Sequence, residues 1–158
     1  MRIILFSDSH GYTHNMIKAV SLNKGIDLII HLGDVVKDIE RIKEQYGGFR
    51  YEYVRGNNDW SGNCPEEKIL ELEGKRVLIT HGHRYGVKYG YQGIEDKGRS
   101  EGVDAVFFGH THRTEEITAG RILLLNPGSI SLPVHPDRPT YSIVEIKGDR
   151  MTSRFFGI

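Results

Sequence analysis

Apolar runs alternate with helical spacing of apolar residues through the first third of the chain. The runs at 2–6, 27–32 and 50–54 are typical of buried strands, and each ends in small polar residues and glycine. Apolar residues recur at helical intervals in the two intervening segments, where Thr13 is the predicted N-terminal cap of the first helix. This alternation predicts a parallel sheet with crossover helices.

After residue 60 the pattern changes to paired strands joined by glycine-containing turns. Three hairpins are predicted, at 69–79, 115–125 and 141–156. Between the first two we expect a surface loop, a short helix and a strand, at 84–93, 94–101 and 105–108. His135 lies among prolines and is predicted to be on the surface. The pattern as a whole predicts one α/β domain over residues 1–158, with mixed β-structure in its second half.

Composition excludes several classes of function. The 21 basic and 21 acidic residues balance, and the pI is near 7.1, so no overall basic field attracts nucleic acid and nucleic-acid binding is not expected. No run approaches the roughly 18 apolar residues of a membrane span, so no membrane partner is expected either. Cys64 is the one cysteine and has no disulfide partner in the chain, which favours a cytoplasmic protein.

Five predicted strands end in loops with metal-capable side chains. These are Asp8 and His10, Asp34, Asn57 to Asp59, His81 and His83, and His110 and His112. A polar residue after one buried strand is ordinary, but an α/β sheet brings its strand ends together. Two Asp, one Asn and four His, with one histidine counted from residues 81–83 and one Asn from the third loop, exceed what one metal needs, and fit two metals about 3.5–4 Å apart with a bridging carboxylate. Asp34 stands alone on a central loop and is the expected bridge.

These segments resemble the signature blocks of the calcineurin-like metallophosphoesterases. The blocks are Asp8-Ser9-His10-Gly11, Gly33-Asp34, Gly56-Asn57-Asn58-Asp59, Thr80-His81-Gly82-His83 and Gly109-His110-Thr111-His112. The set is similar to the small YfcE/MJ0936-type phosphodiesterase branch, which includes the VPS29 subunit, and Asn126-Pro127-Gly128-Ser129 is similar to a further signature of that branch. The resemblance implies a four-layer α/β/β/α sandwich of two mixed β-sheets flanked by helices.

The resemblance also implies two sets of metal ligands. One divalent ion would be bound by Asp8, His10, Asp34 and His112, and the other by Asp34, Asn57, His81 and His110. Two such ions lower the pKa of a bridging water and stabilise the charge of an in-line displacement. Mn²⁺ is the expected metal, with Fe, Ni²⁺ and Zn²⁺ as alternatives, because mixed oxygen and nitrogen sites do not select one ion by affinity. The expected activity is hydrolysis of small phosphodiesters by attack of the bridging hydroxide.

The chain departs from many relatives at Asn58, where they carry a histidine that assists the leaving group. An amide cannot act as a general acid near neutral pH. The chemistry is then expected to rely on His83 or metal-bound water as the proton source, or on a leaving group that needs little protonation. Alternatively, His83 orients His81 by a hydrogen bond. Asp59 is expected to hold its loop or a ligand by hydrogen bonds, and His31 to be a hydrogen-bonded core residue.

Two further alternatives stay open at this level. Trp60 and the tyrosines at 85, 89 and 91 line a substrate cleft, cover apolar surface, or form a contact in a homo-oligomer. Arg55 and Arg113 either contact phosphate or are ordinary exposed arginines.

The rival function is a catalytically silent, VPS29-like protein-interaction scaffold. A silent scaffold does not need the complete set of ligands that includes His10, so the sequence favours the enzyme.

Overall fold

Two five-stranded sheets and three helices make up the described part of this computed structural model, which covers residues 1–60, 63–134 and 138–158. The first sheet contains β1 (Arg2–Phe6), β2 (Leu28–His31), β3 (Arg50–Tyr53), β9 (Thr140–Lys147) and β10 (Arg150–Gly157). The second contains β4 (Glu67–Leu72), β5 (Lys75–Thr80), β6 (Ala105–Phe107), β7 (Thr114–Ala119) and β8 (Ile122–Pro127). The helices are α1 (Thr13–Leu22), α2 (Val36–Gln45) and α3 (Gln92–Glu101). His135, predicted to be on the surface, lies outside the described residues.

Both sheets are mixed. The first has the order β10-β9-β1-β2-β3, with β1, β2 and β3 parallel as the alternation predicts and the C-terminal hairpin antiparallel. The second has the order β4-β5-β6-β8-β7, in which β5, β6 and β8 are parallel and the two edge strands are antiparallel. Phe6 pairs with His31, and His31 with Tyr53, so β1 to β3 end at the same level.

The two sheets pack face to face, with helices on both outer sides. Because neighbouring strand residues point to opposite faces, Ile3 and Leu5 enter the core between the sheets, whereas Ile4 and Phe6 pack beneath α1 and α2. Phe108 lies in a third apolar cluster, beneath α3. Burial on both faces explains the continuous apolar runs. The predicted four-layer sandwich is confirmed. None of the described helices is long and apolar enough to cross a membrane.

Helix starts differ from the sequence expectation at two places. Thr13 is the first residue of α1 rather than its cap, because a loop turn sets the start: the Tyr12 N–H donates to the Ser9 carbonyl at 2.8 Å. A short 3₁₀ helix at His83–Tyr85 overlaps the predicted loop over 84–93, and α3 already begins at Gln92. A Cβ at Gly93 would lie 2.9 Å from the Tyr85 carbonyl oxygen, so this close approach requires glycine.

Candidate metal centre

The loops after β1, β2, β3, β5 and β6 meet at one edge of the sandwich. Parallel neighbours present their carboxyl ends at the same edge, so both sheets contribute side chains there. Across the junction, His112 Nε2 lies 3.1 Å from Asp8 Oδ1, and His81 Nε2 lies 3.4 Å from Asp34 Oδ1. Carboxylates from the first sheet therefore face imidazoles from the second.

Two groups of side chains are compact enough to surround an ion. The ligand atoms of Asp8, His10 and His112 lie within 4.8 Å of one another, and so do those of Asp8, Asp34 and His81. Asp8 belongs to both groups, whereas the sequence predicts Asp34 as the shared carboxylate. Asp34 also reaches both sides, since its Oδ2 lies 4.0 Å from His10 Nε2 and its Oδ1 contacts His81. Both carboxylates lie between the two sets of imidazoles.

Backbone carbonyls set the tautomers of two of these histidines. His81 Nδ1 lies 2.8 Å from the Leu32 oxygen, and His112 Nδ1 lies 2.6 Å from the Leu132 oxygen. A carbonyl only accepts, so Nδ1 carries the proton and the Nε2 lone pair of the neutral ring faces a carboxylate. Two lone pairs that face each other repel, and a cation between them removes the repulsion. The donor set fits divalent metals.

The electrostatics of the cluster agree with a site built for cations. Burial works to raise the pKa of Asp8, but the adjacent His112 ring and the charges of His81 and His112 outweigh it and lower that pKa. Burial acts in the opposite direction on His81, whose pKa is raised because the Asp34 and Asp8 carboxylates outweigh it. Among the described residues, Asp8 Oδ1, His10 Nε2 and His81 Nε2 are buried without a hydrogen-bond partner.

The backbone is left-handed at five of the candidate ligands. The φ angles are positive at Asp8 (55°), His10 (43°), Asp34 (58°), His110 (70°) and His112 (56°). Non-glycine residues rarely adopt this conformation, and Asp and His are among those that tolerate it. Nothing in the apolar pattern signals this feature, although the residue types permit it.

The loop after β3 holds Asp34 in place. The Asn58 backbone N–H donates to Asp34 Oδ1 at 3.0 Å, and the Asn58 amide donates to Asp34 Oδ2 at 2.7 Å. Asp59 accepts hydrogen bonds from the backbone N–H groups of Asp34 (3.1 Å), Val36 (2.8 Å) and Gly56 (2.8 Å), as expected of a residue that holds its loop. Asn57 lies exposed in the same loop.

A buried hydrogen-bond chain lies beneath the first two loops. The Gly33 N–H donates to His31 Nδ1 at 3.2 Å, which leaves the ring proton on Nε2 to reach Ser9 Oγ at 3.0 Å. Ser9 Oγ in turn donates to Asp38 Oδ2 at 2.8 Å, and that oxygen also accepts from the Gly11 N–H at 2.7 Å. His31 is thus the hydrogen-bonded core histidine that the sequence predicts. The chain ties the Asp8–His10 loop to the Asp34 loop and α2.

The Asn126–Ser129 segment supports the site from the second sheet. Ser129 Oγ is fully buried and donates to the Asp8 carbonyl at 2.8 Å, next to a strained φ angle. The Asn126 amide donates to the Gly109 carbonyl at 2.8 Å. A Cβ at Gly109 would lie 1.9 Å from Ser7 Oγ, so glycine lets the two sheets approach here. The segment positions residues of the β1 and β6 loops rather than facing a ligand itself.

Three histidine rings line the second-sheet side of the centre. The His81 ring centroid lies 5.0 Å from that of His110 and 5.4 Å from that of His83. Burial, with the charges of His81 and Lys88, lowers the pKa of His110 to about 4, and burial and His81 lower that of His83. The hydrogen bond that orients His81 is made with the Leu32 carbonyl. His83 therefore does not have the orienting role that the sequence left open for it. His83 Nδ1 is buried without a partner in the described chain.

The aromatic residues singled out in the sequence have different surroundings. Tyr91 packs on Phe108, with ring centroids 5.5 Å apart, and lines a cleft beside Thr111. Tyr85 donates its hydroxyl to Glu67 on β4. Trp60 and Tyr89 are 91% and 98% exposed, and Trp60 lines a second cavity next to Asn58. Of these four aromatic residues, Tyr91 and Trp60 border the described cavities near the candidate ligands.

Comparison with known proteins identifies the family. A model of the calcineurin-like phosphoesterase superfamily domain matches residues 1–149. The chain belongs to this superfamily. The probable metallophosphoesterase YsnB of Bacillus subtilis is 31% identical over 159 residues, which cover 99% of this chain and 90% of YsnB. The phosphodiesterase MJ0936 of Methanocaldococcus jannaschii is 28% identical, over 81% of this chain and 83% of that protein.

Solved structures agree with this assignment. The structure of a predicted phosphoesterase from Streptococcus pneumoniae superposes with a TM-score of 0.85 at 29% identity, over 99% of this phosphoesterase chain and 88% of that chain. A Vps29 structure from Entamoeba histolytica has a TM-score of 0.83 at 20% identity, over 100% and 93% of the two chains, and shows likeness of fold alone. Metallophosphoesterases act with divalent metals, and the ligands described here form a candidate site for them.

Proposed function

We propose that this phosphoesterase hydrolyses small phosphodiesters with the help of two divalent metal ions. The observation that carries the proposal is the convergence of two buried carboxylates and imidazole lone pairs, with tautomers set by backbone carbonyls. The proposed ligand sets are Asp8, His10, Asp34 and His112 for one ion, and Asp34, Asn57, His81 and His110 for the other. The phosphodiesterase name of the relative MJ0936 supports the choice of diesters.

Bound divalent ions would supply Lewis acidity, a water of lowered pKa and charge neutralisation of phosphate oxygens. The chain's own contribution is to hold their ligands rigidly. Asn58 fixes both oxygens of Asp34, and as a neutral amide it adds no negative charge that would repel the substrate. Mn²⁺ is the proposed metal, with Fe, Ni²⁺ and Zn²⁺ as alternatives for this oxygen and nitrogen donor set.

His83 is the proposed donor of a proton to the leaving group. Its ring borders His81 and His110, and its Nδ1 has no other partner in the described chain. Burial lowers the pKa of His83, so most of the ring is neutral at pH 7 and proton donation is weak. We therefore expect aryl diesters, whose leaving groups need little protonation, to react much faster than alkyl diesters.

The test compares bis-p-nitrophenyl phosphate with p-nitrophenyl phosphate. Protein stripped of metal with a chelator is assayed with and without added Mn²⁺, beside Asp34→Asn and the fully exposed control Asp149→Asn. We expect Mn²⁺-dependent cleavage, faster for the diester, that Asp34→Asn abolishes and Asp149→Asn retains. Absence of turnover with Mn²⁺, Fe²⁺, Ni²⁺ and Zn²⁺ in folded protein would overturn the proposal, and faster cleavage of the monoester would overturn its diester part.

The second candidate function is a catalytically silent, protein-interaction scaffold. The likeness of fold to Vps29 is the observation in its favour. Against it stand His10 and the other buried ligand atoms, which a protein-binding surface does not use.

We also propose that residues 1–158 form a single domain and, since Cys64 has no disulfide partner in the chain, that the protein is cytoplasmic. Self-association through the exposed Trp60 and Tyr89 rings is tested by sedimentation velocity on Trp60→Ser and Tyr89→Ser.

A further inference from the structure

A cleft of about 430 Å³ opens directly beside the candidate metal centre. Its floor includes Thr111, which stands between the candidate ligands His110 and His112. Its walls carry two cations, Lys88 and Arg113, and we call it the Lys88–Arg113 cleft. A diester bound with its phosphate at the metal centre would place one of its two ester groups toward this cleft.

The two cations of the cleft differ from others on the same face in forming no ion pair with a described residue. Arg55 and Arg84 each pair with the Glu66 carboxylate, with N–O distances of 2.8 and 2.9 Å, so one negative charge offsets part of their positive charge. Within the described ranges, neither Lys88 nor Arg113 forms an ion pair. Glu115, the carboxylate that lines the cleft, instead faces the Tyr91 hydroxyl. Among the described residues that line the cleft, two positive charges therefore accompany one carboxylate, that of Glu115.

The walls that carry these groups are anchored rather than loose. The Arg113 N–H donates to Thr111 Oγ1 at 3.2 Å, and Asn126 donates to the same oxygen at 3.1 Å, so Arg113 is tied to the metal loop. Val87, next to Lys88, is buried in the apolar cluster that contains Phe108. Tyr91 packs on the same Phe108 ring. A preorganised cleft loses less entropy when it binds a ligand.

We propose that the Lys88–Arg113 cleft is a second anion subsite of this phosphoesterase. It would bind a phosphate or carboxylate carried by the alcohol component that is not released in the reaction. The Tyr91 ring would lie against the organic part of that component. The substrate class is then a phosphodiester with an additional negative charge on one of its alcohol components. This inference rests on the proposed function and specifies its substrate.

The kinetic test uses three p-nitrophenyl diesters of matched length whose second ester group is 3-carboxypropyl, butyl or 3-(trimethylammonio)propyl. We expect kcat/KM to be highest for the carboxylate and lowest for the cation. Lys88→Met and Arg113→Met should each reduce the preference for carboxylate over butyl about fivefold to tenfold, mainly through KM, as loss of a partly exposed charge-assisted contact predicts. Butyl ester hydrolysis should stay within twofold of wild type.

The control variant is Lys18→Met, which removes an exposed lysine on α1 and should leave all three values unchanged. The preference should also shrink as NaCl rises from 0.05 to 0.5 M, since salt screens exposed charges. Equal kcat/KM for the carboxylate and butyl esters in wild type would overturn the subsite. So would an equal loss for all three esters in the cleft variants.

A binding measurement separates failure of the subsite from failure of the proposed function. Metal-free protein is titrated with phenyl phosphate and followed by two-dimensional NMR. Without metal, binding reports on the cleft, so we expect shifts at Lys88, Tyr91 and Arg113 that the double variant Lys88→Met/Arg113→Met loses. If no diester is hydrolysed but this binding is seen, the proposed function fails and the anion site stands. If the variant binds phenyl phosphate as wild type does, the anion site fails.

Discussion

Gly56 offers a direct test of how the site is held, because any side chain there would collide with Asp34. A Cβ at this position would lie 2.1 Å from Asp34 Oδ1 and 2.6 Å from the Asp34 backbone nitrogen. Real Cβ atoms essentially never come closer than 3.0 Å to such neighbours. Gly56 does not need the left-handed conformation, so Gly56→Ala changes the available space rather than the backbone preference.

The magnitude follows from that overlap. Either the Asp34 carboxylate or the Gly56 loop must move by roughly 1 Å, and overpacking of this kind costs about 1–3 kcal/mol of unfolding free energy. Ligand geometry tolerates only about 0.5 Å, so we expect Mn²⁺ affinity to fall by about 10- to 100-fold. Competition with a fluorescent chelator measures the affinity, and urea unfolding of the metal-free protein measures the stability.

The matched control is Gly48→Ala, because a Cβ there would meet no atom within 4 Å and its φ angle is also outside the left-handed region. That variant should match wild type in affinity and stability. The reasoning is refuted if folded Gly56→Ala binds Mn²⁺ within twofold of wild type and loses less than about 0.5 kcal/mol of stability. Such a result would mean that Asp34 is not held against the Gly56 loop.

Three further predictions concern the groups beneath and around the centre. Ser129→Ala leaves the Asp8 carbonyl and two backbone N–H groups with one hydrogen-bond partner fewer each. Urea unfolding should show a loss of about 1–3 kcal/mol of unfolding free energy. The exposed control Ser21→Ala should lose almost none. Burial lowers the pKa of His31 to about 4, so the unfolded chain takes up a proton near pH 6.5 that the folded chain refuses. Between pH 6.5 and 4, the unfolding free energy of metal-free wild type should therefore fall by up to about 3 kcal/mol more than that of His31→Gln. Parallel pH profiles of the two proteins would contradict this. The midpoint of thermal unfolding of metal-free protein should lie about 8–16 °C below that of protein with free Mn²⁺ at about 1,000 times its dissociation constant. Equal midpoints would argue against a native-state metal site.

The sequence predicts the strand ends well because local chemistry decides them. An apolar run that meets glycine and Asp, as at Leu32 and Asp34, ends a strand wherever it stands in the chain. The same is true of the Gly148 hairpin between β9 and β10, whose turn type follows from its residues. The candidate ligands lie in such loops, and parallel pairing brings together the loops of each sheet. The packing of the two sheets then brings the carboxylates of the first to the imidazoles of the second.

Long-range pairing and backbone contacts were beyond prediction, for identifiable reasons. β9 pairs with β1, with Val144 opposite Ile3, and no local signal in either strand specifies a partner so distant in the chain. The Leu32 and Leu132 carbonyls orient His81 and His112, but a carbonyl is present at every residue and so leaves no trace in the sequence. The start of α1 was predicted from Thr13, whereas the turn from Ser9 to Tyr12 decides it.

The strain in the loops bears on the choice between enzyme and scaffold. Left-handed backbone at a non-glycine residue costs on the order of 1 kcal/mol, and Asp8, Asp34 and His110 are among five candidate ligands that adopt it. Hydrogen bonds from Ser129 and Asn58 hold this geometry against its cost. A protein-interaction surface gains nothing from it, because the affected side chains cluster with one another and with His81 around one centre. Cations between facing carboxylates and imidazoles do gain from it, so the strain favours a working metal centre.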